Sequence, residues 1–223
     1  SDRLGALFGK PVQCDTPPVD RSEYTMLHRD TWIAAAGKPA GMPTQDDKSG
    51  DPSLAMLVSR DTKTEVFVVH RIDRPASGVV LFALTAQVAA ALSAALAGAP
   101  GTTRIRKKYL AVVEGRPGEA WPESCQRLVH RLHFDTRNNK SFPTADGGKE
   151  AVLAYTTLAT GDRYSLLAVE LATGRHHQIR AQLAAIGAPI RGDVKYGARR
   201  SQPGGGIGLH AYSVSLVHPV TGK

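Results

Sequence analysis

The sequence predicts an α+β fold built on a mixed, mostly antiparallel sheet. Three observations predict it. Strand-like and helix-like segments are interleaved with no regular strand–helix–strand alternation. Two alternating segments, 151–160 and 164–171, are joined by Gly161-Asp162, which is hairpin chemistry. The chain has 223 residues and 42% hydrophobic content, enough for one large domain, or a domain of two lobes, with a real core. No internal repeat is present.

The elements follow in order. Residues 1–22 hold Pro11, Pro17 and Pro18 and little periodicity, so they read as a tail or a surface strap. The folded domain is expected over residues 23–223. Thr31 to Ala36 reads as a strand, broken by Gly37-Lys38-Pro39-Ala40-Gly41. Residues 45–51 form a polar loop. Ser53 to Ser59 is a short helix with Leu54, Leu57 and Val58 on one face. Val66–Val69 and Val79–Leu84 are apolar, β-branched runs that read as buried strands. Between them lies a polar hinge punctuated by Pro75 and Gly78. Thr85 caps a helix that runs through an Ala/Leu-rich stretch to Ala97, with Gly98 as its stop. Lys107 to Glu114 is a strand. Residues 121–139 are basic and irregular and receive no assignment. Gly147-Gly148 and Thr173-Gly174 are turns. A helix is expected from His176 to Ile186, closed by Gly187 and Pro189. The Gly-rich loop 204–208 leads into a last strand, Leu209 to Val217.

Composition narrows the function. The net charge is +8 and the pI about 9.7. Solubility alone could explain a basic balance, but the cations are clustered. Arg104, Arg106, Lys107 and Lys108 crowd five positions. Arg127, Arg131, Arg137 and Lys140 form a second group, and Arg191, Lys195, Arg199 and Arg200 a third. That distribution points to a polyanion, and nucleic acid is the natural one. No apolar run reaches the roughly 20 residues of a membrane helix. The first residues carry no signal-peptide core. The two cysteines, Cys14 and Cys125, are far apart and outside any CxxC pair. Neither a disulfide framework nor a zinc site is expected, and a cytoplasmic setting is.

Three stretches could carry chemistry. In the hinge, His70, Arg71, Asp73, Arg74 and Ser77 are five polar groups wedged between two strands. A lone loop aspartate usually just holds a turn. This density exceeds what a solvated turn needs, and loops on a rigid sheet are where catalytic groups sit. Flanking cations would keep Asp73 ionised. The second stretch is Thr173-Gly174-Arg175-His176-His177-Gln178-Ile179-Arg180, which opens a helix and can attract an anion. Arg180 lies one turn beyond His176. Ile179, Leu183 and Ile186 form its apolar stripe, so an ordinary amphipathic helix with a basic cap is the competing account. The third is Lys107-Lys108-Tyr109, a tyrosine beside cations. That suits a base stacked on a ring with phosphates nearby, unless the ring simply fills the core. Residues 204–208 lack a Walker ending. His70 with Asp73, or His176 with His177, falls short of a metal-ligand set, because adjacent helical histidines diverge by about 100°.

These stretches resemble one family. His70-Arg71-Ile72-Asp73-Arg74-Pro75-Ala76-Ser77-Gly78 resembles the HRLDxxTSG motif of the RluA-type pseudouridine synthases. Lys108-Tyr109-Leu110-Ala111-Val112-Val113-Glu114-Gly115, with Lys107 before it, is similar to their KxYxAxVxG strand. The stretch from Thr173 to Arg180, with Gly187, Pro189-Ile190, Gly192-Asp193 and Tyr196-Gly197, is similar to their TGRTHQIR…PIxGDxxYG block. Leu209-His210-Ala211 and His218-Pro219 with Thr221-Gly222 resemble the closing LHA…HPxTG, and Gly37-Lys38-Pro39-Ala40-Gly41 the N-KP-G opening. The resemblance runs from about Tyr24 to Lys223. It implies the family's fold, with the sheet in two lobes, helices flanking it and the active-site cleft between. It implies conversion of uridine in ribosomal or transfer RNA to its C-glycoside isomer, without cofactor or metal, by a chain that is often monomeric. Asp73 would be the catalytic aspartate, Arg180 its ion-pair partner and Tyr109 the ring that stacks on the flipped uracil. Ile179 and Leu183 would wall the pocket. Arg71 would fill the gap left by the flipped nucleotide, with His70, Arg74, Arg175 and His176 also contacting substrate. Ile72, Ala76 and His176 depart from the usual Leu, Thr and Thr. No domain resembling ribosomal protein S4 is expected in front, since residues 1–22 are too short. The competing readings are a catalytically inactive RNA-binding module on the same fold and a metal-dependent nuclease.

Overall fold

The computed structural model describes residues 24–102, 105–115 and 124–223. The proposed tail, Cys14, Arg104 and Trp121 lie outside them. Ten strands form one sheet: β1 (Thr25–Arg29), β2 (Ile33–Lys38), β3 (Phe67–Val68), β4 (Ser77–Ala83), β5 (Arg106–Glu114), β6 (Gln126–Asp135), β7 (Lys140–Pro143), β8 (Lys149–Thr160), β9 (Tyr164–Leu171) and β10 (Leu209–Ser215). The helices are α1 (Leu54–Thr62), α2 (Ala86–Ala97) and α3 (Gln178–Ala185). The strand order is β1-β2-β4-β10-β5-β9-β8-β6-β7, with β3 also on β4. Among the described residues every strand pairing is antiparallel except β10 with β4. The sheet is thus continuous across the molecule, and its two halves meet at the parallel β4–β10 pair.

That seam needs glycine. Gly78 has φ +119, and a Cβ there would lie 2.3 Å from the carbonyl oxygen of Ala211. The backbones approach too closely for any side chain. Gly78 is four positions beyond Arg74, so the tight seam also fixes where the polar hinge leaves the sheet.

The alternation of β4 explains its unbroken apolar run. Val80 and Phe82 enter a large core with Ala34, Ala36, Tyr109 and Ala111, closed by Leu54 and Val58 of α1 and Ile179 and Leu183 of α3. Leu81 and Ala83 enter a second core with Ile33, Ile105 and Val88 and Leu92 of α2. A strand covered on both faces has no polar positions to alternate.

α2 starts and stops where the sequence predicts. Thr85 accepts from the Val88 amide and Gly98 closes the helix in the left-handed region. α1 starts one residue later than predicted, with Ser53 as its cap rather than its first residue, and runs three residues further, to Thr62. α3 begins at Gln178 rather than His176, because His177 sits at φ +50. β1 and β7 were not predicted as strands, and Val66–Val69 pairs only through Phe67–Val68.

The unassigned stretch contains β6. Its inward positions include His130 and its outward ones Val129, so its alternation is blurred. His130 is accommodated by Gln182 of α3, whose Nε2 lies 3.0 Å from its Nδ1. Among the described residues no helix is long and apolar enough to cross a membrane.

Candidate active site

A cavity of about 480 Å³ opens over the middle of the sheet. Asp73, Tyr109, Ile179 and Arg180 line it, from the hinge before β4, from β5 and from α3. Three segments distant in sequence thus meet at one place.

The hinge is held from below. Lys38 is 2% exposed, and its Nζ donates to the carbonyls of Pro39, Met42 and Arg74 at 3.0, 2.7 and 3.1 Å. Burial pushes its ammonium down to about 7, opposed by the charge of Asp73. Thr44 Oγ1 donates to the Ile72 carbonyl at 3.0 Å, and the Ala76 amide donates to the Asp73 carbonyl at 3.0 Å. These bonds fix the loop on both sides of Asp73 without using its carboxylate.

The carboxylate is held from α3. Arg180 Nη1 donates to Asp73 Oδ2 at 3.1 Å. The rest of that guanidinium is clamped by Asp193, Nε to Oδ2 at 2.6 Å and Nη2 to Oδ1 at 2.8 Å. A bidentate fork leaves an arginine little freedom. Burial works against the Arg180 charge, but bonds to Asp193 and the nearby Asp73 outweigh it and raise its pKa. Asp193 is therefore a positioning residue. It stood in the quoted motif, but nothing local in sequence identified its partner 13 residues away.

A second chain of bonds ends beside the same carboxylate. The Ser141 amide donates to Tyr196 Oη at 2.9 Å, and Tyr196 Oη lies 2.9 Å from His177 Nδ1. Burial, with the Arg180 charge behind it, pushes His177 down to about 2, so the ring is neutral. With Tyr196 donating to Nδ1, the proton sits on Nε2, which faces Asp73 Oδ2 at 3.8 Å. Burial also raises the Tyr196 phenol to about 12. The Arg180 guanidinium lies over the Tyr196 ring, 4.8 Å from its centroid. The left-handed His177 is the cost of aiming this imidazole at the cavity.

Tyr109 is buried, and burial, then the Asp73 charge, pushes its phenol well above the usual range. It keeps its proton and can donate it. Ile179 lines the cavity, whereas Leu183 lies one turn on and is wholly within the core. Arg71 is exposed at the mouth, with no hydrogen-bond partner among the described residues. Arg175 lines the cavity and donates to the Glu150 carbonyl at 2.8 Å. His176 lies on the other side of Asp73, its ring between Phe134 and His177 at 4.1 and 3.8 Å.

Two predicted contacts are engaged with the protein itself. Arg74 donates to Asp47, to Asp51 and to the Gly41 carbonyl, tying the hinge to the 41–51 loop. His70 lines the cavity but accepts from the Leu81 amide at 3.1 Å through Nε2. Burial, then the charge of Lys107, pushes it down to about 4. Among the described residues no three His, Cys, Asp or Glu side chains converge at metal-binding spacing.

Known proteins are similar to this chain in sequence and fold. Residues 33–185 match the family described as RNA pseudouridylate synthase. The chain is 35% identical to the tRNA pseudouridine synthase C of Haemophilus ducreyi, over 89% of this chain and 87% of that one. It is 32% identical to the tRNA pseudouridine synthase C of Yersinia pestis, over 89% and 82%. Two human structures share the fold. RNA pseudouridylate synthase domain containing 1 has a TM-score of 0.71 at 21% identity, over 90% of this chain and 81% of that one. Domain containing 4 has a TM-score of 0.65 at 21% identity, over 86% and 84%. With a cavity-facing aspartate braced by a clamped arginine opposite a buried tyrosine, and with the family's match spanning sheet, hinge and α3, the chain belongs to the RNA pseudouridylate synthase family and is an RNA pseudouridine synthase, an isomerase.

Proposed function

We propose that the enzyme isomerises uridine in transfer RNA, with Asp73 as the catalytic carboxylate and the target base turned out of its stack into the cavity. The observation that carries this reading is the placement of Asp73. Its backbone is fixed by the Lys38 and Thr44 bonds, its Oδ2 by Arg180, and it shares one cavity with Tyr109. In the reaction the N1–C1′ bond breaks and the C5–C1′ bond forms. The C5 proton leaves and N1 gains one, so there is no net redox change. A positioned carboxylate serves as nucleophile or base at the opening step. Tyr109 provides the face on which uracil rests while it turns over, and its retained proton is available at the end. Ile179 packs against the opposite side.

Flipping a base costs a few kcal/mol. Arg71, exposed at the mouth and unpartnered among the described residues, is placed to occupy the vacated stack. Arg175, on the cavity wall, and His176, on the other side of Asp73, meet the flanking backbone. Transfer RNA is favoured over ribosomal RNA because the relatives that align along most of the chain carry that substrate in their names. The reading includes a monomer acting in the cytoplasm, where the exposed free Cys125 stays reduced.

The test is to map pseudouridine in RNA from cells lacking this protein, before and after incubation with it. A new pseudouridine in transfer RNA supports the reading. A new site only in ribosomal RNA overturns the substrate assignment.

A further inference from the structure

Lys107 has no role in the arrangement above. It lies on β5 two residues before Tyr109, on the same face, so the two are offset by roughly 7 Å along the strand. The exposure of the strand alternates accordingly: Lys107 is half-buried, Lys108 exposed and Tyr109 buried. Lys108 projects from the other face, opposite Glu170 in the register. Lys107 therefore faces the catalytic cavity, and Lys108 does not.

The cavity has a neighbour of about 360 Å³. Leu96, Ala97, Lys107, Leu171, Thr173 and Gly174 line both. Among the described residues Lys107 is the one charged group on that shared wall. The second cavity continues over Ala95, Ala99 and Ile105, which is apolar surface suited to the face of a base. Lys107 thus stands at the waist between one space beside Tyr109 and another suited to a neighbouring base.

The ammonium is costly where it is. Among the described residues no carboxylate pairs with it and no hydrogen bond holds it. Burial pushes its pKa below the usual range. A lysine held this way gains when an anion arrives. Gly174 borders it closely: a Cβ there would lie 3.4 Å from Lys107 Nζ. The Gly174 amide also has no hydrogen-bond partner among the described residues. His70, whose pKa the Lys107 charge helps to lower, is kept neutral by burial, and Arg175, next to Gly174, is the neighbouring cation on the cavity wall.

We propose that Lys107, with the Gly174 amide beside it, binds the RNA phosphodiester that links the target uridine to its neighbour, and that the neighbouring nucleotide occupies the second cavity. The inference rests on the pseudouridine synthase reading of the first cavity. It assigns a phosphate to one cation and a register to the strand: ring for the base, lysine for its phosphate, two positions apart.

The experiment uses a short RNA substrate carrying one uncharged methylphosphonate linkage, placed on the 5′ or on the 3′ side of the target uridine. The full chain is compared with its Lys107→Met, Lys107→Arg and Lys108→Met variants. Binding and single-turnover isomerisation are measured separately. Lys107→Met is expected to weaken binding about tenfold or more, as loss of one charge-assisted contact does. Single-turnover rate at saturating RNA should stay within about threefold, since the reacting atoms are untouched. One of the two methylphosphonates should weaken wild-type binding to a similar degree and add nothing in Lys107→Met. Lys107→Arg should restore most of the loss, and Lys108→Met should show no coupling to either linkage.

Additive penalties for Lys107→Met and both methylphosphonates would overturn the proposal. So would wild-type binding that is indifferent to both linkages, a result that needs no variant to fold. Failure of the wild type to isomerise any RNA would instead remove the function on which the proposal rests, and turnover of the unmodified substrate separates the two cases.

Discussion

Asp73 and Arg180 do not form a simple ion pair. Arg180 gives one nitrogen to Asp73 and two to Asp193. The side chains of Arg180 and Asp193 are 5% and 1% exposed, that of Asp73 24%. The buried pair is the anchor, and the third nitrogen faces the cavity-lining carboxylate of Asp73. Asp193→Ala would strand a buried guanidinium, and breaking such a pair costs about 3–5 kcal/mol. We expect a marked fall in the denaturant midpoint, and in the surviving folded fraction a lower kcat, since Arg180 is then free to leave Asp73. An unchanged midpoint with unchanged kcat would contradict the clamp. His70 makes a separate prediction. Its imidazole is depressed from 6.5 to about 4 by burial, so between those values the unfolded chain binds the extra proton. The stability it contributes is complete above about pH 6.5 and is lost as pH falls toward 4. His70→Gln should make unfolding less steep in pH over that window, by up to one proton, or about 1.4 kcal/mol per pH unit. Denaturant melts at a series of pH values measure it.

At the scale of elements, legibility followed locality. α2 was readable to its caps because Thr85 and Gly98 act within one turn of the chain. β9 was readable because its burial alternates cleanly. α3 was mispredicted by two residues because its start is decided elsewhere. Tyr196, from the 3-10 turn Val194–Tyr196, holds His177 at a positive φ that no helical pattern signals. β6 was unreadable because His130 is an inward residue whose partner, Gln182, lies 52 positions away. The same holds for the site. Asp73, Tyr109 and Arg180 could be named from their motifs, but not the supports from Lys38, Asp193, Tyr196 and Ser141, which exist only after folding. The engagement of Arg74 with Asp47 and Asp51 likewise depends on where the 41–51 loop lands. Tyr196→Phe tests the junction of α3, β7 and the 3-10 turn. It removes the hydroxyl that takes the Ser141 amide and holds His177. Leaving those partners unsatisfied should cost about 1–3 kcal/mol. It should also lower kcat more than KM, because His177 is then free to turn from Asp73. Thermal melts and steady-state kinetics together separate this from a purely structural loss.

Across the whole molecule, a charge of +8 meets a polyanionic substrate. The cations around the cavity, Arg71, Arg175 and Lys107, have no carboxylate partner among the described residues. Binding should therefore weaken steeply with salt, the slope of log K against log salt gaining about −0.7 to −0.9 for each phosphate neutralised. A flat response in a filter-binding titration would mean that these cations do not meet RNA backbone. The continuous sheet serves the same end. Asp73 leaves it before β4, Tyr109 sits on β5, and β10 lies between them as a rigid spacer. The strand that follows the Asp73 loop and the strand that carries the ring are thus two places apart in one continuous sheet.

The central claim is that Asp73 performs the isomerisation. Its most direct test is tritium release from transfer RNA labelled at C5 of uridine, because that hydrogen exchanges with water only when C5 becomes the glycosidic carbon. Wild type should release tritium up to one equivalent per modified site. Asp73→Asn, with its fold and RNA affinity intact, should fall by about 10³-fold or more. Release by Asp73→Asn at a rate near wild type would contradict the account.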